Sequence, residues 1–147
     1  MFFPNAIKKK VGILARVPLA SGMLTGKLRR DSKFAADDHR NFNRHGESFD
    51  VGETFSGVDF ETGLAAAEEI RALIRSGEHG TPSLTQFALR WILMFDAVTC
   101  AIPGGKRPAQ VEENCAAADL PALTPEAMRA IRGIYDKKIR ALVHDRW

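Results

Sequence analysis

The residues best placed to do chemistry lie between Val98 and Asn114, in the run Val-Thr-Cys-Ala-Ile-Pro-Gly-Gly-Lys-Arg-Pro-Ala-Gln-Val-Glu-Glu-Asn. It opens as a short apolar segment that reads as a buried strand, breaks at Pro103-Gly104-Gly105, and starts a helix near Pro108. Two glycines between strand and helix let backbone N–H groups approach a bound group, because no Cβ intervenes. The helix start behind them adds unpaired donors and a positive dipole end, which favour an anion and above all a phosphate. Lys106 and Arg107 bring formal positive charge to the same place. Strand, glycine turn, basic pair and helix therefore make a candidate phosphate seat. The same spacing also fits an ordinary strand-to-helix turn with solvated charges, and the pattern alone does not separate the two.

Other reactive side chains read as structural or solvated. His39 and His45 stand six residues apart beside Asp37 and Asp38. That grouping suggests a metal or acid–base site, but it lacks the i,i+4 spacing of helical ligands, and solvated loop residues are the default. Cys100 and Cys115 have no CxxC spacing and no histidine at ligand distance, so free, buried thiols are expected. Tyr135 falls on the core stripe of a C-terminal helix and is read as structural.

The elements that must position the seat follow from periodicity. Residues 4–10 look like the end of a helix. Val11–Val17, bounded by Gly12 and Pro18, reads as a strand buried on both faces, with Arg16 at a polar mouth or capping the strand end. A tight turn of small residues runs from Pro18 to Lys27. Residues 28–58 show no sustained period and are expected to form a long irregular loop, a lid or binding loop. Phe42, Phe49 and Phe55 would pin that loop or line a substrate mouth. Asp59 caps a helix to about Ser76, stopped by Gly77, with Phe60, Leu64, Ala67, Ile70, Leu73 and Ile74 on its apolar face. Thr81-Pro82 is expected to start the next helix, with Leu84, Phe87, Ala88, Trp91 and Ile92 as its stripe. Helices to about Ala118 and from Thr124-Pro125 to about Val143 complete the chain, the last burying Met128, Ile131, Tyr135, Ile139 and Leu142.

Three of these runs resemble the aldo-keto reductase family. Ile102-Pro103-Gly104-Gly105-Lys106, with Gln110, Glu113 and Asn114, is similar to the family's last strand–helix unit. Val17-Pro18-Leu19-Ala20-Ser21-Gly22-Met23-Leu24-Thr25-Gly26-Lys27 is similar to the loop after its seventh barrel strand. Gln86-Phe87-Ala88-Leu89-Arg90-Trp91-Ile92-Leu93 looks like the helix between them. The resemblance implies an α/β architecture, helix-rich with two parallel strands, from the C-terminal part of a (β/α)8 TIM barrel. It also implies an NADPH-dependent oxidoreductase reducing small aldehydes or ketones. Leu19, Ser21, Gly22 and Lys27 would hold the pyrophosphate. Gly104, Gly105, Lys106 and Gln110 would hold the adenosine 2′-phosphate, and Glu113 and Asn114 the adenine edge. Basic Lys106 and Arg107 point to NADP rather than NAD. Many members carry Arg where this chain has Gln110, which shifts the phosphate contact toward Lys106. The family's catalytic Asp, Tyr, Lys and His come from the first half of its barrel, and no substitute set is found in this chain. The alternative is a non-catalytic nucleotide- or protein-binding module from a truncated reductase.

Length and charge bound these readings. The chain has 147 residues, 45% of them hydrophobic, enough for one domain spanning 1–147. A full barrel needs about 250 residues, so a fragment is expected, marginal in isolation or self-associating through exposed edges. The net charge is +3. Between Lys27 and Arg44 six Lys/Arg (27, 29, 30, 33, 40, 44) face three Asp (31, 37, 38). The surplus sits in one loop, not the extended stripe of a nucleic-acid binder. No apolar run is long enough to span a membrane. Apolar residues precede charges at the N-terminus, the reverse of a signal peptide, so a cytoplasmic protein is expected.

Overall fold

Each long helix begins where a side chain takes up an otherwise unpaired backbone N–H. Asp59 accepts from Thr62 N–H at 2.9 Å and starts α3 (Phe60–Ser76). Thr124 accepts from Ala127 N–H at 3.2 Å and starts α6 (Pro125–Ile134). The structure, a computed structural model, describes residues 2–49, 54–77 and 82–146. In chain order its other regular elements are α1 (Phe2–Lys8), β1 (Ile13–Ala15), a 3-10 turn at Ala20–Thr25, α2 (His39–Phe42), α4 (Leu84–Ile92), β2 (Val98–Ala101), α5 (Pro108–Ala116) and α7 (Arg140–Val143).

β1 and β2 pair in parallel, Ile13 opposite Val98, Leu14 opposite Cys100 and Ala15 opposite Ala101, with a bulge between Ile13 and Leu14. The bulge has a local cause: Thr99 Oγ1 takes the Ile13 N–H at 3.0 Å, displacing a ladder bond. The main core lies among the helices. Phe87, 1% exposed, sits among Ala67, Ile74, Leu84, Leu123, Ala127 and Ile131, with Leu24, Ile70, Leu73, Trp91, Met94 and Met128 packed around them. A second cluster of Met23, Phe55 and Phe60, joined by Phe34, anchors the long loop.

The structure corrects several expectations. β1 is three residues long, because Val17 turns to a left-handed φ of 50° before Pro18. Neither strand is buried on both faces: Leu14 is 59% exposed, and Thr99 and Cys100 are exposed too. α4 starts one residue after Ser83, not at Pro82. Ser83 Oγ accepts from Gln86 N–H and Gln86 Oε1 accepts from Ser83 N–H, a reciprocal cap. Thr81 lies outside the described residues. Ile134, the last residue of α6, takes the buried place expected of Tyr135, and beyond a π-turn at Tyr135–Ile139 Val143 takes that expected of Leu142, so Tyr135, Ile139 and Leu142 are only half-buried. Cys100 and Cys115 are free as expected but exposed, not buried.

Only one of the three loop phenylalanines pins the loop. Phe55 is 1% exposed, whereas Phe42 and Phe49 pack edge-on against each other and stay in contact with solvent. Asn43, fully buried, does the rest of the work. Its Oδ1 accepts the N–H groups of Ser48 (2.8 Å) and Phe49 (3.0 Å), and its Nδ2 donates to Thr54 Oγ1 at 3.0 Å.

Candidate cofactor-binding site

Parallel pairing sends both strands out of the sheet at the same edge. The ladder extends one step further, with Ile102 N–H donating to the Ala15 carbonyl at 2.9 Å. The turn after β1 and the turn after β2 therefore leave from adjacent points, as ligand-binding loops do at the C-terminal ends of barrel strands.

The first turn is held in an unusual backbone shape. Ala20, Ser21 and Gly22 take left-handed φ values of 47°, 54° and 97°. Gly22 alone is at ease there; a residue with a Cβ would be strained and would bring that Cβ to 3.3 Å from Arg40 Nη1. Leu19 precedes the turn, and its carbonyl accepts the N–H groups of Gly22 (3.0 Å) and Leu24 (3.1 Å). Thr25 Oγ1 donates to the Gly22 carbonyl at 2.7 Å and receives the Lys27 N–H at 3.3 Å. Lys27 is exposed at the far end.

Sequence reasoning missed what covers this turn. Arg40 Nη1 donates to the Ser21 carbonyl at 3.4 Å, and His39 Nε2 stands 3.3 Å from Ser21 Oγ. Arg40 is gripped by Asp38 through two bonds, Nη2 to Oδ2 at 2.6 Å and Nε to Oδ1 at 2.9 Å, and lies over the Phe34 ring with its guanidinium carbon 4.6 Å from the centroid. The only signal in the sequence was the surplus of basic residues in that loop.

The Arg40 hydrogen bonds hold the Asp38 carboxyl down at about 2, and the same pairing raises Arg40. A carboxylate whose folded value is depressed stabilises the fold above its unfolded value and loses that contribution as pH falls through the folded one. The pair is accordingly intact above about pH 4 and released toward about pH 2. Acid titration followed by the Asp38 carboxyl NMR signal checks this; a midpoint near 4 would show the pair unformed. Asp38→Asn is expected to lower stability by about 1 kcal/mol, as for a charged hydrogen bond that still reaches solvent, the two side chains being 22% and 27% exposed.

The second turn is built by α5. Gln110 Oε1 accepts the N–H groups of Lys106 (2.8 Å) and Arg107 (3.1 Å), and Asn114 Nδ2 donates to the Gly104 carbonyl at 3.3 Å. Gly104 has open space where a Cβ would stand, whereas a Cβ on Gly105 would press on Val111 Cγ2 at 3.1 Å. Lys106 and Arg107 are exposed. Glu113 is partly committed elsewhere: Ser83 Oγ donates to its Oε1 at 2.6 Å, and Gln86 Nε2 donates to its carbonyl at 3.4 Å, so it also locks α4 to α5.

Of the other candidates, His39 joins the first turn, while His45 donates its backbone N–H to Glu47. Among the described residues no three His, Cys, Asp or Glu side chains gather as metal ligands. Tyr135 lies on the C-terminal helix, its hydroxyl 2.9 Å from His144 Nδ1.

The family model for the aldo/keto reductase family matches residues 1–136. The chain belongs to the aldo-keto reductases. It is 29% identical over 143 residues to a probable voltage-gated potassium channel subunit beta from Arabidopsis thaliana, covering 93% of this chain and 39% of that protein. It is 33% identical over 104 residues to the L-glyceraldehyde 3-phosphate reductase of Escherichia coli K12, covering 71% of this chain and 28% of the relative. Among solved structures it is similar to the glycerol dehydrogenase AKR11B4 from Gluconobacter oxydans, with a TM-score of 0.73 and 30% identity over 94% of this chain and 38% of that one. The holo form of an aldo-keto reductase from Bacillus halodurans, 18% identical with a TM-score of 0.60, shares the fold. The aldo-keto reductase chain described here thus spans under two fifths of the length of the first relatives it matches, and its two parallel strands with their helices are part of a (β/α)8 barrel. No helix among the described residues is long and apolar enough to cross a membrane.

Proposed function

We propose that this chain binds NADP(H) and forms the cofactor side of an aldo-keto reductase that reduces small aldehydes or ketones. The observation that carries this reading is the parallel pairing of β1 and β2, which releases the two turns from one sheet edge. In this reading Leu19, Ser21, Gly22 and Lys27 cradle the pyrophosphate, with Arg40 held above Ser21 by Asp38. Gly104, Gly105, Lys106 and Gln110 receive the 2′-phosphate. Gln110 Oε1 already shapes that turn, so the charge contact falls on Lys106. Glu113 and Asn114 would hold the adenine edge. When bound, the cofactor supplies a hydride to the carbonyl carbon; the residues of this chain bind it, orient it and neutralise its phosphates. A reducing compartment suits the two free, exposed cysteines and supports a cytoplasmic location.

Fluorescence titration with NADPH and NADH tests the reading. NADPH is expected to bind about tenfold tighter, the worth of one additional charge-assisted contact. Equal affinities, or none, would sink it.

A second reading, a non-catalytic nucleotide- or protein-binding module, is favoured by one observation. The only tyrosine in the chain is Tyr135, and its hydroxyl is engaged by His144 on the C-terminal helix. Since the first reading also gives no turnover from this chain alone, the second is favoured only if NADPH binds and a generic aldehyde is still not reduced when the chain is part of a complete aldo-keto reductase barrel.

A further inference from the structure

Ser83 does more than a helix cap requires. Starting α4 needs only an oxygen that accepts the Gln86 N–H, and Asp or Asn would serve as well. The serine hydroxyl also donates, to Glu113 Oε1 of α5 at 2.6 Å. A hydroxyl carries one proton, and with a lone pair turned to the Gln86 N–H that proton is aimed at the carboxylate. Donation to an ionised acceptor makes a short, strong bond. Among the described residues no Lys or Arg pairs with Glu113, so Ser83 is what orients its side chain. The backbone behind it is held as well: Gln86 Nε2 donates to the Glu113 carbonyl at 3.4 Å, while Gln86 Oε1 takes the Ser83 N–H at 3.1 Å. Ser83 and Glu113 are both half-buried, which partly shields the pair from water.

We propose that Ser83 is a positioning residue for recognition of the cofactor's base, fixing the Glu113 carboxylate so that it accepts from a 6-amino purine and rejects a 6-oxo one. The inference rests on the NADP(H) reading, which puts Glu113 at the adenine edge, and adds what that edge selects and which residue makes it selective. With one oxygen occupied by the serine proton, the carboxylate keeps acceptor capacity and has no proton to give. Adenine offers an exocyclic amino group to such an acceptor. Hypoxanthine carries a carbonyl oxygen at the same position, and two acceptors face to face stay unpaired and repel. A loose side chain would escape that penalty by swinging to the N1–H of hypoxanthine and accepting there. Discrimination therefore depends on the carboxylate being held in one orientation before the base arrives, which is what the Ser83 hydroxyl does.

The test compares, by fluorescence titration of the full chain, NADPH with its analogue carrying hypoxanthine in place of adenine. The parent chain is expected to bind NADPH about tenfold tighter, the worth of one hydrogen bond to a charged group. Ser83→Gly removes the hydroxyl at little cost to the cap, and the preference should fall below about threefold. Ser83→Asp keeps the cap, has no proton to donate and sets a like charge against Glu113; it should lose the preference too. Ser83→Thr retains both roles and should keep it. Added to Glu113→Gln, Ser83→Gly should bring no further loss, since the serine acts through that carboxylate. Mere damage to α4 would weaken both dinucleotides together and leave their ratio where it was. A parent chain that binds neither dinucleotide overturns the NADP(H) reading and this inference with it. A parent chain that binds NADPH and its analogue equally well, or a Ser83→Gly or Ser83→Asp chain that keeps the preference, overturns the inference alone.

Discussion

Phe87→Ala is expected to lower the unfolding free energy by about 3–5 kcal/mol, the range for removing a fully buried aromatic ring. Phe87 is 1% exposed and touches a cluster drawn from three separate helices: Ala67 and Ile74 of α3, Leu84 of α4, and Ala127 and Ile131 of α6. Because α3 packs against both α4 and α6, a shift that filled the void would disturb their shared contacts, and a large cavity term is expected. A whole small domain is stable by only about 5–15 kcal/mol, so this single change would bring the chain to the edge of unfolding. Leu14→Ala supplies the contrast. That side chain is 59% exposed, and its truncation should cost under about 0.5 kcal/mol in the same urea melts followed by circular dichroism. Equal losses at the two positions would mean that the helical cluster is not where the stability lies.

The second large effect belongs to Lys106. Lys106→Ala is expected to weaken NADPH binding about tenfold, equivalent to roughly 1.5 kcal/mol for a hydrogen bond to a charged group. NADH, which lacks the 2′-phosphate, should bind the variant about as well as the parent chain. The asymmetry matters because general damage to the turn would weaken both. Gln110 Oε1 holds the Lys106 and Arg107 N–H groups, so Gln110→Ala, in the same seat, is expected to weaken NADPH too and to leave NADH less affected. Parallel fluorescence titrations decide the matter, and a Lys106→Ala chain that loses NADH to the same degree would show that the lysine only shapes the turn.

What could be read from the sequence was what depends on near neighbours. Asp59 and Thr124 announce their helices because each cap bonds an N–H three residues on. The α3 stripe and Pro108 are equally local. Ser83 was hidden by its neighbour: Pro82 looks like a first helical residue, but the serine hydroxyl, serving both Gln86 and Glu113, sets the true start. The π-turn has no residue signature that periodicity detects, yet beyond it Val143 and not Leu142 is the buried residue. The exposure of Cys100 and Leu14 was unreadable because an apolar run shows only that a strand is fit to be buried. Arg40 and Asn43 were unreadable for another reason. Arg40 meets Ser21 across 19 residues and Asn43 meets Thr54 across 11, in a loop with no period to reveal the approach. At the candidate site, the glycines and basic residues could be picked out from the sequence, while the groups that hold them in position could not.

Arg71 of α3 donates through Nη2 to the Gly26 carbonyl at 2.7 Å and is steadied by Glu68 at 3.1 Å. Gly26 is itself fixed by this bond, since a Cβ there would fall 2.6 Å from Arg71 Nη2 at a φ of 71°. An engineer who transplants residues 18–27 onto another scaffold, hoping to carry a phosphate grip along, would therefore leave half of its fastening behind. The graft would need a guanidinium arriving from a helix 45 residues downstream, or a new strut designed to replace it.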